Sequence, residues 1–309
     1  MTPIEILLEK LLEIPSPSGK EFDVAQFIVK ELDGFSVRLQ EVDENRFNVI
    51  APKGTPRVWL VAHMDTVPGI VPVRMTETAI YGRGACDNKQ SIAGAIIVAR
   101  ELEDIGLLFT VGEETDFAGA KKAQAENIIG DEPVIIQEPT KFVVKTGYRG
   151  VMTCNIKVTG VAQHSALPNP NSAIMKLAHI MTDLETHNWT GFNAGLIHGG
   201  TAANVVPALA ETTLCIRPDT KEEYDSIKQA LAQLEASVVL LNDFPPDNHE
   251  LGFPRNVTRG FSELAFFKNS IEFGAGDGSF SHTDDEHILR ADLNRLPEEL
   301  KKLAQQLAP

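Results

Sequence analysis

Several short apolar segments of this chain end in residue types that bind metals or transfer protons, and this pattern limits the fold more than any other feature. The clearest segments are residues 58–65, 107–114, 134–140 and 271–276, and His282 lies shortly after the last of them. Apolar runs that close on polar or Gly residues are typical of buried strands in a parallel sheet. Ligands of such sheets bind where the carboxyl ends of the strands converge. We therefore expect one pocket that is rich in carboxylates and imidazoles.

The polar residues that close these segments offer nitrogen and oxygen donors to a metal. They are His63, Asp65, Glu113, Glu114, Glu138 and His282, together with Asp87 in the Gly-rich segment 81–89. Zinc binds imidazole nitrogen and carboxylate oxygen, and a catalytic zinc site keeps one position open for water. Two metals ~3.5–4 Å apart need a bridging ligand, which a carboxylate supplies with its two oxygens. The sequence therefore predicts a metal site with a further acid beside it.

The charge and the cysteines restrict the compartment and the partners. With 28 basic and 43 acidic residues, the formal net charge is −15, so the chain repels nucleic acid and anionic membranes. The three cysteines lie far apart and form no CxxC motif, which favours a reducing compartment. No apolar stretch approaches the ~20 residues that span a bilayer, and the first residues do not form a signal peptide. We expect a cytoplasmic protein that binds neither nucleic acid nor a membrane.

The order of helical and strand patterns predicts two domains. Residues 1–147 alternate between the two patterns, which is typical of an α/β layer fold. Residues 148–243 read as strand–helix–strand–strand–helix–strand, a small α+β layer with antiparallel pairs. After them the chain returns to helix, one apolar strand and a last helix. We expect a discontinuous catalytic domain, 1–147 with 244–309, around a mostly parallel central sheet, and an inserted lid domain over 148–243.

Individual elements can also be predicted from apolar periodicity. The predicted strands lie near 36–51, 57–62, 107–111 and 133–137, and the predicted helices include 89–103 and 297–307. The helix over 89–103 carries apolar residues on most of its surface, so we expect it to be largely buried.

Five motifs in order resemble those of the M20 family of co-catalytic zinc peptidases and deacylases. They are His63-Met-Asp65, Gly82-Arg-Gly-Ala-Cys-Asp87-Asn-Lys89, Glu113-Glu114, Gln137-Glu138-Pro-Thr140 and His282-Thr-Asp-Asp-Glu-His. The resemblance covers nearly the whole chain. It implies a zinc-exopeptidase-like catalytic domain, an inserted lid (dimerisation) domain and a pair of Zn²⁺ ions, with Co²⁺ or Mn²⁺ as substitutes.

The resemblance also assigns metal ligands to positions of this chain. It makes Asp87 the bridge between the two metals. His63 and Glu138 would complete one site, and Glu114 and His282 the other. The neighbouring His287 competes with His282 for the last place, but only His282 follows the Gly- and Ser-rich loop where the family has its ligand. The family further implies a cis peptide bond after the bridging acid, between Asp87 and Asn88.

Two acids beside the ligands receive other roles. Asp65 lies two residues after His63 on an extended strand, so we expect its carboxylate to accept the other imidazole N–H and fix the tautomer. Glu113 precedes a ligand and should point away from the metals. By resemblance it is the general base that takes a proton from the attacking water and passes it to the leaving amine.

The inserted domain carries three candidates for substrate contact. His164 stands in a segment that resembles the family's lid motif and would donate a hydrogen bond to the developing oxyanion, from this subunit or its partner. Asn204 would contact the reacting amide. Arg217 would clamp a substrate carboxylate with its planar guanidinium, and a structural ion pair is the alternative interpretation. A homodimer through the inserted domain is implied by the resemblance.

These residues lead to three hypotheses on function. The first is an acetylornithine deacetylase-like hydrolase that cleaves the linear, non-peptide amide of an N-acyl amino acid. Its acidic loop, residues 284–286, would favour a cationic side chain unless those acids are only solvated. The second is an exopeptidase that cleaves dipeptides or tripeptides. The third is a non-catalytic binding protein of the same fold, against which Glu113 argues because it has no place among the metal ligands.

Overall fold

A computed structural model describes residues 1–168, 171–249, 251–258 and 260–308. The chain divides into two compact units. Unit 1 comprises Met1–Gly147, His249–Asn256 and Ser262–Pro309, and unit 2 comprises Tyr148–Asn248 and Val257–Phe261. Unit 2 therefore takes the chain five residues beyond 243, the expected end of the inserted domain, and takes a second short segment as well. The sequence Pro168-Asn-Pro-Asn171 predicts a turn, and this segment lies partly outside the described residues.

The helices and strands are numbered in chain order. The strands are β1 Arg38–Asp43, β2 Arg46–Lys53, β3 Val58–His63, β4 Arg74–Met75, β5 Ala79–Tyr81, β6 Ile105–Thr110, β7 Val134–Ile136, β8 Gly147–Tyr148, β9 Val151–Thr159, β10 Asn193–Gly199, β11 Leu209–Ile216, β12 Ser237–Phe244, β13 Asp247–Asn248, β14 Val257–Thr258, β15 Ser270–Glu272 and β16 His287–Leu289. The helices are α1 Pro3–Leu12, α2 Phe22–Glu31, α3 Lys89–Glu101, α4 Ala118–Ala125, α5 Ala173–Glu185, α6 Lys221–Ala232 and α7 Arg290–Leu307, with a 3₁₀ turn at Glu263–Phe266.

The central sheet of unit 1 has the strand order β1-β2-β6-β3-β7-β15. The pairs β6–β3, β3–β7 and β7–β15 are parallel, so these strands end at the same edge of the sheet. β3, β6, β7 and β15 are buried along their whole length, as expected for strands covered on both faces. The single strand predicted over 36–51 is wrong. The chain forms a β1–β2 hairpin there, which turns through Asn45 in the left-handed conformation at φ 57°.

The helices of unit 1 surround this sheet. α3 is buried over most of its surface because it packs against α1, α7, β3 and β6. The prediction that the last helix begins at Pro297 is wrong, since α7 begins at Arg290 and contains that proline. Proline removes a helical hydrogen bond, at a cost of about 3 kcal/mol. The helix continues through it because a buried apolar stripe runs along its full length: Leu293, Leu296, Leu300, Leu303 and Leu307.

Unit 2 is built on a four-stranded antiparallel sheet with the order β10-β11-β9-β12. Buried and exposed residues alternate along β9, so one of its faces is buried, and the side chains of that face form a core with α5 and α6. Ser172 and Thr220 cap these helices by accepting from the backbone N–H groups of Met175 and Glu223. Among the described residues, no helix is long and apolar enough to cross a membrane.

Candidate metal centre

The parallel strands of unit 1 deliver metal-binding residues to one edge of the sheet. His63 is the last residue of β3, Glu138 follows β7 by two residues, and the Glu113–Glu114 pair follows β6 in a turn. Asp87 comes from the loop between β5 and α3, immediately before the cis Asp87–Asn88 peptide bond. His282 comes from the loop between β15 and β16.

Two groups of side chains form at this edge, and Asp87 belongs to both. In the first group, Nε2 of His63 lies 3.0 Å from Oδ1 of Asp87 and 3.8 Å from Oε1 of Glu138. In the second, Nε2 of His282 lies 3.0 Å from Glu114 and 3.5 Å from Oδ2 of Asp87. The ligand atoms of each group lie within 4.8 Å of one another. The structure thus brings together the five side chains that the sequence nominated as ligands, with one oxygen of Asp87 facing each group.

Asp65 supports the site in a different way from the one expected. The nearest partner of His63 Nδ1 is the backbone carbonyl of Asp65 at 2.9 Å, whereas the Asp65 carboxylate is 3.6 Å away. The carbonyl therefore accepts the imidazole N–H and fixes the tautomer. The carboxylate instead accepts the backbone N–H groups of Glu113 and Glu114, each at 3.1 Å, and the Ser18 hydroxyl at 2.7 Å. Asp65 thereby anchors the turn that carries both glutamates, a task that the sequence pattern does not reveal.

Glu113 lies beside the two groups but belongs to neither. Its carboxylate has no hydrogen-bond partner among the residues that the structure describes. Burial and the charges of Asp87, Glu263 and Glu114 raise the pKa of Glu113 well above its usual range, although His63 opposes the shift. A carboxyl group with a raised pKa and free oxygens is suited to accept and return a proton.

The carboxylates of the site repel one another. Burial and the charge of Asp87 raise the pKa of Glu138 and of Glu114. Burial alone would raise the pKa of Asp87, but hydrogen bonds with His282 and His63 lower it below its usual value. Burial alone would lower the pKa of His63, but Asp65, Asp87 and the neighbouring carboxylates raise it above its usual value. The Asp87 hydrogen bond and nearby carboxylates raise the pKa of His282 to about 9. These acids together make the site strongly negative. Bound cations would offset the repulsion among the carboxylates.

The donor set fits a pair of zinc ions or similar divalent metals. Each group offers one imidazole nitrogen and two carboxylate oxygens, which is the ligand set of open catalytic zinc sites. One carboxylate, Asp87, is placed to bridge the groups. In addition, Oε1 of Glu138 is buried and lacks a hydrogen-bond partner among the described residues. A metal ligated by His63 and Asp87 would satisfy this oxygen.

Two buried acids near the site escaped the sequence analysis. Glu286 is only 1% exposed, so the suggestion that residues 284–286 form an acidic loop for a cationic substrate is wrong at this position. Glu263 is fully buried in the 3₁₀ turn, and burial raises its pKa to about 7. Both oxygens of Glu263 lack a hydrogen-bond partner among the described residues. The available signal for Glu263 was its place as a lone acid directly before the apolar stretch 264–267.

In unit 2, His164 and Asn204 lie on two segments that pair with each other. A β-bridge joins His164 to Val205, and the Ser165 N–H donates to the Asn204 carbonyl at 3.1 Å. Nδ1 of His164 accepts the backbone N–H of Ala166 at 3.1 Å. The neutral imidazole therefore carries its proton on Nε2, which leaves an N–H donor on an exposed ring.

Arg217 follows β11 and is half-buried. Its Nη1 atom is buried and has no hydrogen-bond partner within the described part of the chain, and no ion pair there includes it. Buried guanidinium N–H groups without a partner are costly, and the structural ion pair that was the alternative interpretation is not formed among the described residues. Arg149, by contrast, is paired with Asp219 at 3.1 Å.

The chain is similar in sequence to peptidases and hydrolases of the M20 group. A family model described as the peptidase dimerisation domain of the M20 group matches residues 146–238. A peptidase M20 domain-containing protein from Schizosaccharomyces pombe is 34% identical over 269 residues, which cover 79% of this chain and 67% of that protein. A protein from Pyrobaculum aerophilum that carries the name LysW-lysine/LysW-ornithine hydrolase is 28% identical over 97% of this chain and 96% of its own length. The match to a probable carboxypeptidase from Aspergillus clavatus spans only 65% of that relative's length.

Solved structures share the fold. The crystal structure of a tripeptidase from Staphylococcus aureus superposes with a TM-score of 0.80 over 99% of this chain and 98% of that one, at 21% identity. The likeness confirms the predicted α/β fold with an inserted dimerisation domain.

Proposed function

Because the chain belongs to the M20 family of metallopeptidases, we propose that it is a hydrolase that uses two divalent metals to cleave an amide bond in a small substrate with a free carboxylate. The observation that carries this proposal is the placement of Asp87 between two groups of ligands, with Glu113 beside both and bound to neither. A metal used only for stability would need no unpaired acid at its edge.

The residues of the chain divide the chemical work. When bound, the metal pair supplies Lewis acidity to the carbonyl and lowers the pKa of the attacking water. Glu113 takes the proton of that water and returns it to the leaving amine nitrogen. The Asp65 carboxylate accepts the Glu113 backbone N–H at 3.1 Å. The main chain of Glu113 is thereby fixed while the Glu113 carboxylate transfers the proton. His164 donates its Nε2–H to the oxygen that becomes negative, and Asn204 orients the amide.

Arg217 defines the substrate class in this proposal. Its guanidinium, in which Nη1 has no partner among the described residues, would bind the α-carboxylate of the amino acid that leaves. An N-acyl amino acid meets this requirement, and the relative that carries the name LysW-lysine/LysW-ornithine hydrolase supports an amino acid with a cationic side chain. An acetylornithine deacetylase-like activity is the most specific form of the proposal.

A carboxypeptidase-type exopeptidase is the second candidate. The matches to fungal proteins described as probable carboxypeptidases favour it, because such enzymes also release an amino acid with a free carboxylate. The two candidates differ in the acyl side of the bond, which is a small acyl group in one and a peptide in the other. Arg217 has the same task in both.

Substrate panels test the proposal. The purified protein with Zn²⁺ or Co²⁺ should cleave at least one of acetyl-ornithine, acetyl-citrulline, succinyl-diaminopimelate and a set of dipeptides with free or blocked amino termini. Replacing Arg217 by Ala should reduce kcat/KM for that substrate by about 10- to 150-fold, since a charge-assisted hydrogen bond contributes roughly 1.5–3 kcal/mol.

The control for this variant is the same substrate with its carboxylate converted to a carboxamide. The wild-type enzyme should lose about as much activity on the carboxamide as the variant loses on the acid, and the variant should barely distinguish the two. An Arg217→Ala enzyme that discriminates between them as the wild type does would contradict the clamp. Absence of turnover on every substrate would contradict the function.

The protein is also proposed to form a homodimer through unit 2, which the family model describes as a dimerisation domain. β10 is an edge strand, and Leu196 and Ile197 on it are 57% and 58% exposed. Exposed edge strands with apolar side chains pair readily with a second chain. Ile174 of α5 lies against Gly199 at the end of the same strand and widens the apolar surface.

Light scattering after size-exclusion chromatography tests this assembly over a range of concentrations. Ile197→Glu should weaken the dimer by at least about 100-fold, because it would bury an unpaired charge at a cost of roughly 3–5 kcal/mol. Val239→Glu on the opposite edge strand β12 is the matched control, since Val239 is 54% exposed and should leave the dimer intact. A monomeric wild type, or a dimer that Val239→Glu disrupts instead, would refute the β10 interface.

A further inference from the structure

The loop that carries the bridging Asp87 is held by one buried carboxylate, that of Glu286. Its Oε1 atom accepts the backbone N–H groups of Gly84, Cys86 and Asp87 at 3.0, 3.1 and 3.0 Å. Its Oε2 atom accepts Nη1 of Arg83 at 2.7 Å. With the side chain 1% exposed, water does not compete for these bonds. A carboxylate that receives this many N–H donors is held firmly in one position.

Glu286 also joins this loop to the loop of His282. Its own backbone carbonyl accepts the N–H of Gly82 at 3.2 Å. Glu286 lies four residues after His282. The loop that carries the exposed His282 imidazole is therefore attached to the Asp87 loop through Glu286. Asp87 and His282 are two of the three ligands of the second group.

The first group has different support. His63 is the last residue of β3, and Glu138 follows β7, which pairs in parallel with β3. The central sheet fixes both positions without Glu286. Loss of Glu286 would therefore release the Asp87 loop from the His282 loop. The first group would keep its two ligands on the sheet, and the Asn88 side-chain amide, which donates to the backbone carbonyl next to Glu138, would keep the bridging acid beside them.

We propose that Glu286 is a positioning residue that sets the separation of Asp87 and His282 and thereby retains the second metal. The inference rests on the dinuclear centre proposed above. It assigns a task to an acid that touches no metal ligand atom, only backbone N–H groups and Arg83. Partners of this kind change metal affinity or activity by about 10- to 100-fold in other metalloproteins.

Zinc titration of the metal-free protein by calorimetry, with a competing chelator, tests the assignment. Glu286→Ala should weaken the second Zn²⁺ by about 10- to 100-fold and leave the first within about 3-fold. kcat should fall with the second metal while KM changes little. Glu286→Gln should give an intermediate loss, because its amide oxygen still accepts the backbone N–H groups but its NH₂ faces Arg83.

Asp284→Asn is the matched control, since Asp284 is an exposed acid of the same loop and should bind both metals as the wild type does. If Glu286→Ala does not fold, Glu286→Gln decides the question. Unchanged affinity for the second metal in a folded variant, or equal weakening of both metals, would refute the positioning role alone. A wild-type protein that binds fewer than two metals would refute the proposed centre as well.

Discussion

Replacing Glu113 by Gln should reduce kcat by about 10²- to 10⁴-fold, the usual contribution of a general acid–base residue. Gln has nearly the same shape and can remain in the turn that Asp65 anchors, but it cannot accept the proton of the attacking water. The metal content should not change, because Glu113 belongs to neither group of ligands. Steady-state kinetics and metal analysis of the same preparation measure the two effects separately.

Glu103→Gln is the control for the chemical change, since Glu103 is 77% exposed on the surface of unit 1. It should retain full activity. If Glu113→Gln lost metal together with activity, Glu113 would be a ligand and the base would have to be sought elsewhere. If it kept full activity, the assignment of the base would be wrong.

Asp87→Ala should have the other large effect, the loss of both metals. Asp87 is the one residue whose oxygens face both groups, at 3.0 Å from His63 and 3.5 Å from His282. Without it each metal keeps only two protein ligands. Loss of the metal pair removes several kcal/mol of transition-state stabilisation, so activity should fall by at least about 10³-fold. Metal analysis after dialysis should find less than one equivalent.

Two histidine variants show whether the effect is specific to the bridge. His282→Ala removes a ligand of the second group only and should leave one tightly bound metal. His287→Ala should keep both, because His287 packs against the rings of Tyr81 and Phe280 and is not in either group. Retention of both metals by Asp87→Ala, or loss of a metal in His287→Ala, would overturn the ligand assignment.

The sequence predicted the parts of this site that depend on strand ends. His63, Glu114 and Glu138 each follow a fully buried apolar strand, and a parallel arrangement brings such ends together. The apolar pattern carries this information because burial on both faces leaves no other place for polar side chains. Asp87 and His282 lie on loops, where no periodicity constrains the chain, and only the resemblance to a known family gave each of them a place among the ligands.

The parts that depend on backbone hydrogen bonds could not be predicted in the same way. Asp65 was expected to accept from His63, yet its carboxylate takes the N–H groups of the Glu113–Glu114 turn. Glu286 was expected to favour a cationic substrate or to be solvated, although it holds the Asp87 loop. Every residue except proline has a backbone N–H, so the sequence does not mark the donors that such carboxylates select. The start of the last helix was misplaced for a different reason. Proline favours a helix start, so Pro297 was taken as the first residue, but the buried leucines along α7 stabilise a helix that already begins at Arg290.

Diffraction from crystals grown with Zn²⁺, recorded above and below the zinc absorption edge, shows where the metals bind. We expect two anomalous peaks per chain, one among His63, Asp87 and Glu138 and one among Asp87, Glu114 and His282, ~3.5–4 Å apart. A single peak, or zinc bound elsewhere with these side chains hydrogen-bonded only to one another, would contradict it.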